Sequence, residues 1–262
     1  MDEQLMRLQL DGWCVLENVI PANEVGLVHD SILATTAQQR NPNAPHNIGH
    51  VPGVINYDQS VAPYLADQRL LKLLETQLGP HLRISFTTAT INEPGNARGD
   101  WHADWPFNQR NAGCLPAPYP DVVMHMTTIW MLSDFSAATG GTLVVSGSHR
   151  MHHNPTGANS WPAHTPYPTE VNAVGKAGSV LLLDSRLWHA TAPNLTTEPR
   201  VAIVVRYAPW WLDLSVLRPG SSTRERLLQA TGKSENQTPP MQHAVYESLP
   251  ASVKPFFVHW LV

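Results

Sequence analysis

The feature that most restricts the possible folds is a change of hydrophobic period at Gly79-Pro80. Before it, apolar residues recur at helical spacing over 23–38, after the start signals Pro21 and Asn23, and again over 67–78. After it, the chain breaks into short apolar runs separated by Gly, Pro and Asn. The runs 82–92, 101–105, 124–135, 142–146, 179–189 and 200–208 are each predicted to be strands. A helical opening followed by many short strands, without repeat or linker, implies a mainly β fold with flanking helices. The expected architecture is a double-stranded β-helix, a cupin-like jelly roll, in one domain spanning 1–262. Within it we expect a helical buttress to about residue 80, a jelly-roll core over 81–210 and a mixed tail over 211–262. The 23 prolines cluster in 41–52, 106–120 and 154–168. Long excursions on a rigid scaffold often carry function, so segments 40–55, 107–121 and 151–174 are expected to wall a site and set its specificity.

Chemistry concentrates at His102, Asp104 and His189. His102 and Asp104 are two residues apart, so on extended backbone both side chains point to one face and a single strand can offer two ligands. His189 ends the apolar run 179–189 and would supply the third. Two imidazoles and a carboxylate leave a divalent ion three open positions, the facial arrangement of non-haem iron(II) oxygenases. With 13 histidines and 21 acidic residues, a His-x-Asp/Glu triplet arises by chance roughly once, and a hydrogen-bonded strand histidine is the competing reading of His102. The surroundings favour a site. Arg200, eleven residues after His189, opens the apolar run Val201-Ala202-Ile203-Val204-Val205. A guanidinium buried on such a strand needs an anionic partner, and its planar fork fits a carboxylate. Arg206 shares that strand face, but six strand residues span roughly 20 Å, so the two arginines cannot grip one carboxylate. Arg206 therefore reads as a surface ion-pair residue in preference to a group on the substrate side.

Several motifs in combination resemble the phytanoyl-CoA dioxygenase family of Fe(II)/2-oxoglutarate-dependent oxygenases. They are the opening Asp11-Gly12-Trp13-Cys14-Val15, His102-x-Asp104, the stretch from Gly140-Gly141-Thr142 to Gly147-Ser148-His149-Arg150, and His189-x-Thr191 with Arg200. The resemblance runs to about Pro209, with one departure: Ser146 stands where the family usually has proline. It implies that His102, Asp104 and His189 bind iron, and that Arg200 and Thr191 hold the distal carboxylate of 2-oxoglutarate. Trp130 and Asn92 are further candidates for contact with that cosubstrate, against plain core packing and a strand-end turn, respectively. The implied cofactors are Fe(II), 2-oxoglutarate and O2, with ascorbate as a stimulant, and the implied outcome is hydroxylation of a small molecule with release of succinate and CO2. Related halogenases carry a small residue in place of the aspartate, so Asp104 speaks against halogenation.

Two other readings remain open from sequence: a cupin-type metal enzyme that does not use 2-oxoglutarate, and a non-catalytic jelly-roll binding module. The net charge of −4 without a basic run excludes a nucleic-acid surface. No apolar stretch approaches the length of a membrane span, and the opening Met1-Asp2-Glu3-Gln4 is not a signal peptide, so a cytoplasmic location is expected. Cys14 and Cys114 are too few and too far apart for a zinc motif or a disulfide framework. His149 and Arg150 are assigned to turn structure, and His46, His125, His152 and His153 to surface or satisfied core positions.

Overall fold

The computed structural model describes residues 2–40, 47–152, 154–156 and 161–261. Along them the chain runs α1 (Glu3–Leu10), β1 (Trp13–Leu16), α2 (Val25–Gln39), β2 (Ile48–Pro52), α3 (Gln68–Leu78) and β3 (Arg83–Asn92). It continues through β4 (Met126–Met131), β5 (Thr142–Val144), β6 (Val171–Ala173), β7 (Val180–Asp184), β8 (His189–Thr191), β9 (Arg200–Ala208), α4 (Ser222–Thr231) and α5 (His243–Ser248). Helix α3 shows why the period changes where it does. The Asp67 carboxylate caps its first turn by accepting from the Arg69 and Leu70 amides, and Gly79 at φ 78° ends it.

The strands form two antiparallel sheets, a six-stranded one ordered β1-β7-β4-β9-β3-β2 and a three-stranded one ordered β6-β5-β8. This is the expected jelly roll. The twofold period of each strand divides its residues between two environments. On β9, Val201, Ile203, Val205 and Tyr207 join a core with Ile32, Leu70 and Leu74 of the helices. Arg200, Ala202, Val204 and Arg206 face the space between the sheets. There Ile129, Met131, Leu181 and Leu183 pack against Val144 and Ala173 of the smaller sheet.

Three sequence expectations need correction. The run 179–189 is two strands: β7 lies in the larger sheet and β8 in the smaller, and the turn 185–188 carries the chain across. The run 101–105 is strand-like at one point only, a bridge between His102 and His189. The segment 40–55 contains an edge strand, β2, paired with β3 and closing on Pro52, a position an edge tolerates because its amide is not needed. The tail is more than an appendage. Leu214, Leu217, Phe257 and Trp260 belong to the helix-side core, and the Trp260 indole donates to the Ile84 carbonyl at 2.7 Å.

Candidate metal centre and its cavity

Backbone pairing brings the three candidate ligands together. The His102 amide donates to the His189 carbonyl at 3.0 Å, the His189 amide returns a bond to His102 at 2.9 Å, and the Asp104 amide donates to Ser185 at 2.8 Å. The imidazole centroids are 4.2 Å apart, His189 Nε2 lies 3.8 Å from Asp104 Oδ2, and one ligand atom from each residue falls within 4.8 Å of the others. Each Nδ1 sits 2.9 Å from the carbonyl two residues earlier, Asp100 for His102 and Leu187 for His189. Only a protonated Nδ1 can make that bond, so each Nε2 keeps its lone pair for a metal. Burial, and the neighbouring His189, push His102 down to about 4, so it is neutral and ready to ligate at pH 7. This donor set fits a divalent first-row ion.

Asp104 is almost fully buried, and both of its oxygens are held. Arg206 Nη2 donates to Oδ1 at 2.5 Å and the Thr127 hydroxyl to Oδ2 at 2.6 Å. Burial alone would push this carboxyl up. The Arg206 guanidinium, the two imidazoles and Thr127 outweigh it and hold Asp104 well below the usual carboxylate range. Arg206 is thus not a surface ion-pair residue: its side chain is 15% exposed and its partner is a candidate metal ligand. Behind Thr127 lies His125, fully buried, with Nε2 2.7 Å from Ser85 Oγ and Nδ1 2.7 Å from Ser185 Oγ. Ser185 Oγ is 3.1 Å from Thr127 Oγ1, which completes a polar chain to Asp104. His125 is therefore a satisfied core histidine, as expected. His152 is exposed, and His46 and His153 lie outside the described residues.

The histidines give the fold a pH dependence of definite sign. Burial pushes His125 down to about 3 and His50 and His259 down to about 4, with Arg206 adding to the effect on the first two. Unfolding returns them to about 6.5, so between these values the unfolded chain binds more protons and stability falls as pH falls. Metal-free protein is expected to lose on the order of a few kcal/mol of stability between pH 7 and pH 4. Denaturant titrations with the same midpoint at both pH values would contradict this.

Arg200 is 4% exposed, its Nε is buried without an acceptor among the described residues, and its guanidinium lies over the Phe135 ring at 4.4 Å. Burial alone pushes its pKa down to about 10, since no carboxylate among the described residues offsets the desolvation. Arg200 and Thr191 line the same cavity as His102, Asp104 and His189, together with His50, Phe86, Thr88, Thr90, Thr127 and Asn236. The space these residues enclose is about 780 Å³ including its open mouth.

Two sequence candidates fall elsewhere. Trp130 is on the helix side of β4, because Thr127 and Ile129 take the cavity face and the period is two; its indole donates to Thr128 Oγ1 at 2.9 Å. Asn92 is fully buried as a clamp: it donates to the Ala192 carbonyl at 3.1 Å and accepts from Asn96 at 2.7 Å. Gly140, at φ 82°, fits against this clamp, since a Cβ there would lie 2.5 Å from Asn92 Nδ2. Ser146 accepts from the Trp13 indole at 2.9 Å, a bond the proline usual at that position could not make.

The long loops also differ from expectation. Among the described residues, neither 107–121 nor 151–174 lines the cavity; of the 40–55 segment, His50 does. Phe107 and Tyr119 pack on Ala103, the residue between the two ligands, and the Phe107 carbonyl accepts from Tyr119 and Asn154 at 2.8 and 2.7 Å. The 107–121 loop props the ligand segment. Shortening it is expected to weaken metal binding as well as turnover, and unchanged metal affinity would return the loop to a role at the substrate alone. Among the lining residues that sequence missed are Phe86, Thr88, Thr90, Thr127 and Asn236; the strand residues carry no local signal beyond strand parity, and Asn236 comes from the tail.

A jelly roll that pairs a two-histidine, one-aspartate cluster with a buried arginine defines the class of iron(II)- and 2-oxoglutarate-dependent dioxygenases. Residues 8–202 match the phytanoyl-CoA dioxygenase (PhyH) family, and the chain belongs to that family. It is 30% identical over 146 residues to dioxygenase af480 of Aspergillus fumigatus, covering 55% of this chain but only 42% of that protein. It is 25% identical over 229 residues to the ectoine dioxygenase of Nocardia farcinica, covering 76% of this chain and 74% of that one. Among solved structures, the epimerase SnoN in complex with Fe3+, alpha ketoglutarate and nogalamycin RO superposes with a TM-score of 0.63 at 21% identity, over 79% of this chain and 82% of that one. No helix among the described residues is long and apolar enough to cross a membrane.

Proposed function

We propose that this protein is a non-haem Fe(II)/2-oxoglutarate-dependent oxygenase that hydroxylates a small-molecule metabolite and releases succinate and CO2. The observation that carries the reading is Arg200, a buried guanidinium without a carboxylate partner among the described residues, in the cavity that also holds the triad. A dicarboxylate that reached the metal with one end would satisfy that guanidinium with the other. With O2 as the oxidant, iron(II) and 2-oxoglutarate would supply the chemistry: 2-oxoglutarate is oxidised to succinate and CO2, one oxygen atom of O2 goes to succinate, and the other is inserted into a substrate C–H bond.

The chain's own residues do the rest. His102, Asp104 and His189 would hold the ion on one side and leave the cavity side free. Thr191 lines the cavity with Arg200 and can add a hydroxyl to the carboxylate grip. Buried Trp101, Trp105 and Phe107 close the side of the ligand segment away from the cavity and keep water from it. The mixed wall of Phe86, Thr88, Thr90, His50 and Asn236 suits a small, partly polar substrate. The ectoine dioxygenase and the nogalamycin-bound epimerase SnoN support a small-molecule substrate for this chain too. A cupin-type enzyme without 2-oxoglutarate would leave Arg200 buried and unpaired, and a binding module has no use for two imidazoles poised with free Nε2 atoms.

The test is succinate release from 2-oxoglutarate with Fe(II), first without substrate and then across a metabolite panel. Slow uncoupled release that one class of metabolite accelerates is the expected result. Absence of succinate under all conditions, with no 2-oxoglutarate binding to Ni(II)-loaded protein, would sink the reading.

A further inference from the structure

We infer that Arg206 is a second carboxylate-binding residue of the cavity, anchoring a carboxylate group that lies beside Asp104. The inference rests on the reading of the site as a metal and 2-oxoglutarate centre. Arg206 sits on β9 opposite Thr127 of β4 and Phe86 of β3, and its guanidinium lies 5.1 Å from the Phe86 ring centroid, so the group is held in place. A guanidinium has five N–H donors. The bond to Asp104 Oδ1 uses one nitrogen, Nη2, while Nε is buried and finds no acceptor among the described residues. Steadying Asp104 calls for a single donor, which Thr127 already supplies on the other oxygen. An orphaned donor on a side chain that lines the cavity is more than that task needs.

Charge points the same way. Among the described residues, two arginines and one aspartate line the cavity, and no lysine or glutamate does. A divalent ion and the 2-oxoglutarate dianion cancel each other, so the occupied cavity keeps one net positive charge in a partly enclosed space. An anionic group offsets it, and the planar fork selects a carboxylate. Arg200 and Arg206 are too far apart along β9 to share one carboxylate, at roughly 20 Å between Cα atoms, but each can take its own. The carboxylate has two possible sources: the metal-side end of 2-oxoglutarate, or the substrate.

Calorimetric titrations of Ni(II)-loaded protein separate the possibilities, comparing wild type with Arg206→Lys, Arg206→Gln and Arg200→Gln. The lysine variant keeps a cation for Asp104 but loses the fork, and is expected to hold Ni(II) within about threefold of wild type. If the group is the near end of 2-oxoglutarate, Arg206→Lys weakens 2-oxoglutarate by about tenfold and Arg206→Gln by more. If it belongs to the substrate, 2-oxoglutarate affinity holds, and acetate binds the wild-type Ni(II)–2-oxoglutarate complex but is lost in both Arg206 variants. The inference is overturned if both variants bind 2-oxoglutarate and acetate as wild type does, or if their losses merely track a loss of Ni(II). In those cases Arg206 serves Asp104 alone. Should wild type bind no 2-oxoglutarate, the underlying functional reading fails; weakening by Arg200→Gln alone leaves that reading standing and removes only Arg206.

Discussion

Asp104→Ala is expected to abolish metal retention and turnover together. Among the described residues Asp104 is the only acidic member of the cluster, and the two imidazoles left behind cannot complete a facial set. The loss is expected to exceed about a hundredfold in divalent-metal affinity, beyond the roughly 10–100-fold that removal of a ligand's hydrogen-bond partner costs. Thr127→Val supplies that milder comparison, since it removes only the 2.6 Å bond to Asp104 Oδ2. Both variants are read by metal titration alongside circular dichroism, because Asp104→Ala also strands the half-buried Arg206. His102→Ala is expected to behave as Asp104→Ala does. Full iron occupancy with full activity in Asp104→Ala would remove the triad assignment.

The second large effect is expected at Arg200. Replacing it with alanine leaves the metal ligands untouched but takes away a buried, charge-assisted partner of the cosubstrate. Such a loss costs about 2–5 kcal/mol when the carboxylate stays buried, which corresponds to roughly 30-fold to several-thousand-fold in affinity. The apparent 2-oxoglutarate requirement is therefore expected to rise by that factor, with iron still bound. Adding acetate or a similar small carboxylate is not expected to restore the variant, because the missing group is the cation. An unchanged requirement would shift the anchor to Arg206 or favour an enzyme that does not use 2-oxoglutarate.

Sequence revealed most where local pattern and chemistry coincide. Strand β9 lies at 200–208 as the apolar run implies, α3 ends at Gly79, and the His102-x-Asp104 pair meets His189. It revealed less where the deciding contact is remote. Arg206 looked like a surface group because its partner is 102 residues away, so no spacing rule connects them. Trp130 stands one residue from the cavity face, and a shift of one along a strand reverses which side a residue serves. Strand β2 hid in a proline- and asparagine-rich segment because an edge needs only one row of partners. The apolar run 179–189 masked a crossing between sheets, since both strands are buried and hydrophobic periodicity does not register a change of sheet.

The division of β3 and β9 into a helix-packed face and a cavity face bears on how such a chain acquires new substrates. Ala89, Ile91, Val201, Ile203 and Tyr207 carry the folding core, whereas Thr88 and Thr90 of β3, with His50 of β2 and Asn236 of the tail, line the cavity. On β3, scaffold residues (Ala89, Ile91) and wall residues (Thr88, Thr90) thus fall on alternating positions, while the other two wall residues come from β2 and the tail. A combinatorial library confined to those four codons is accordingly a short route to altered substrate choice in the laboratory.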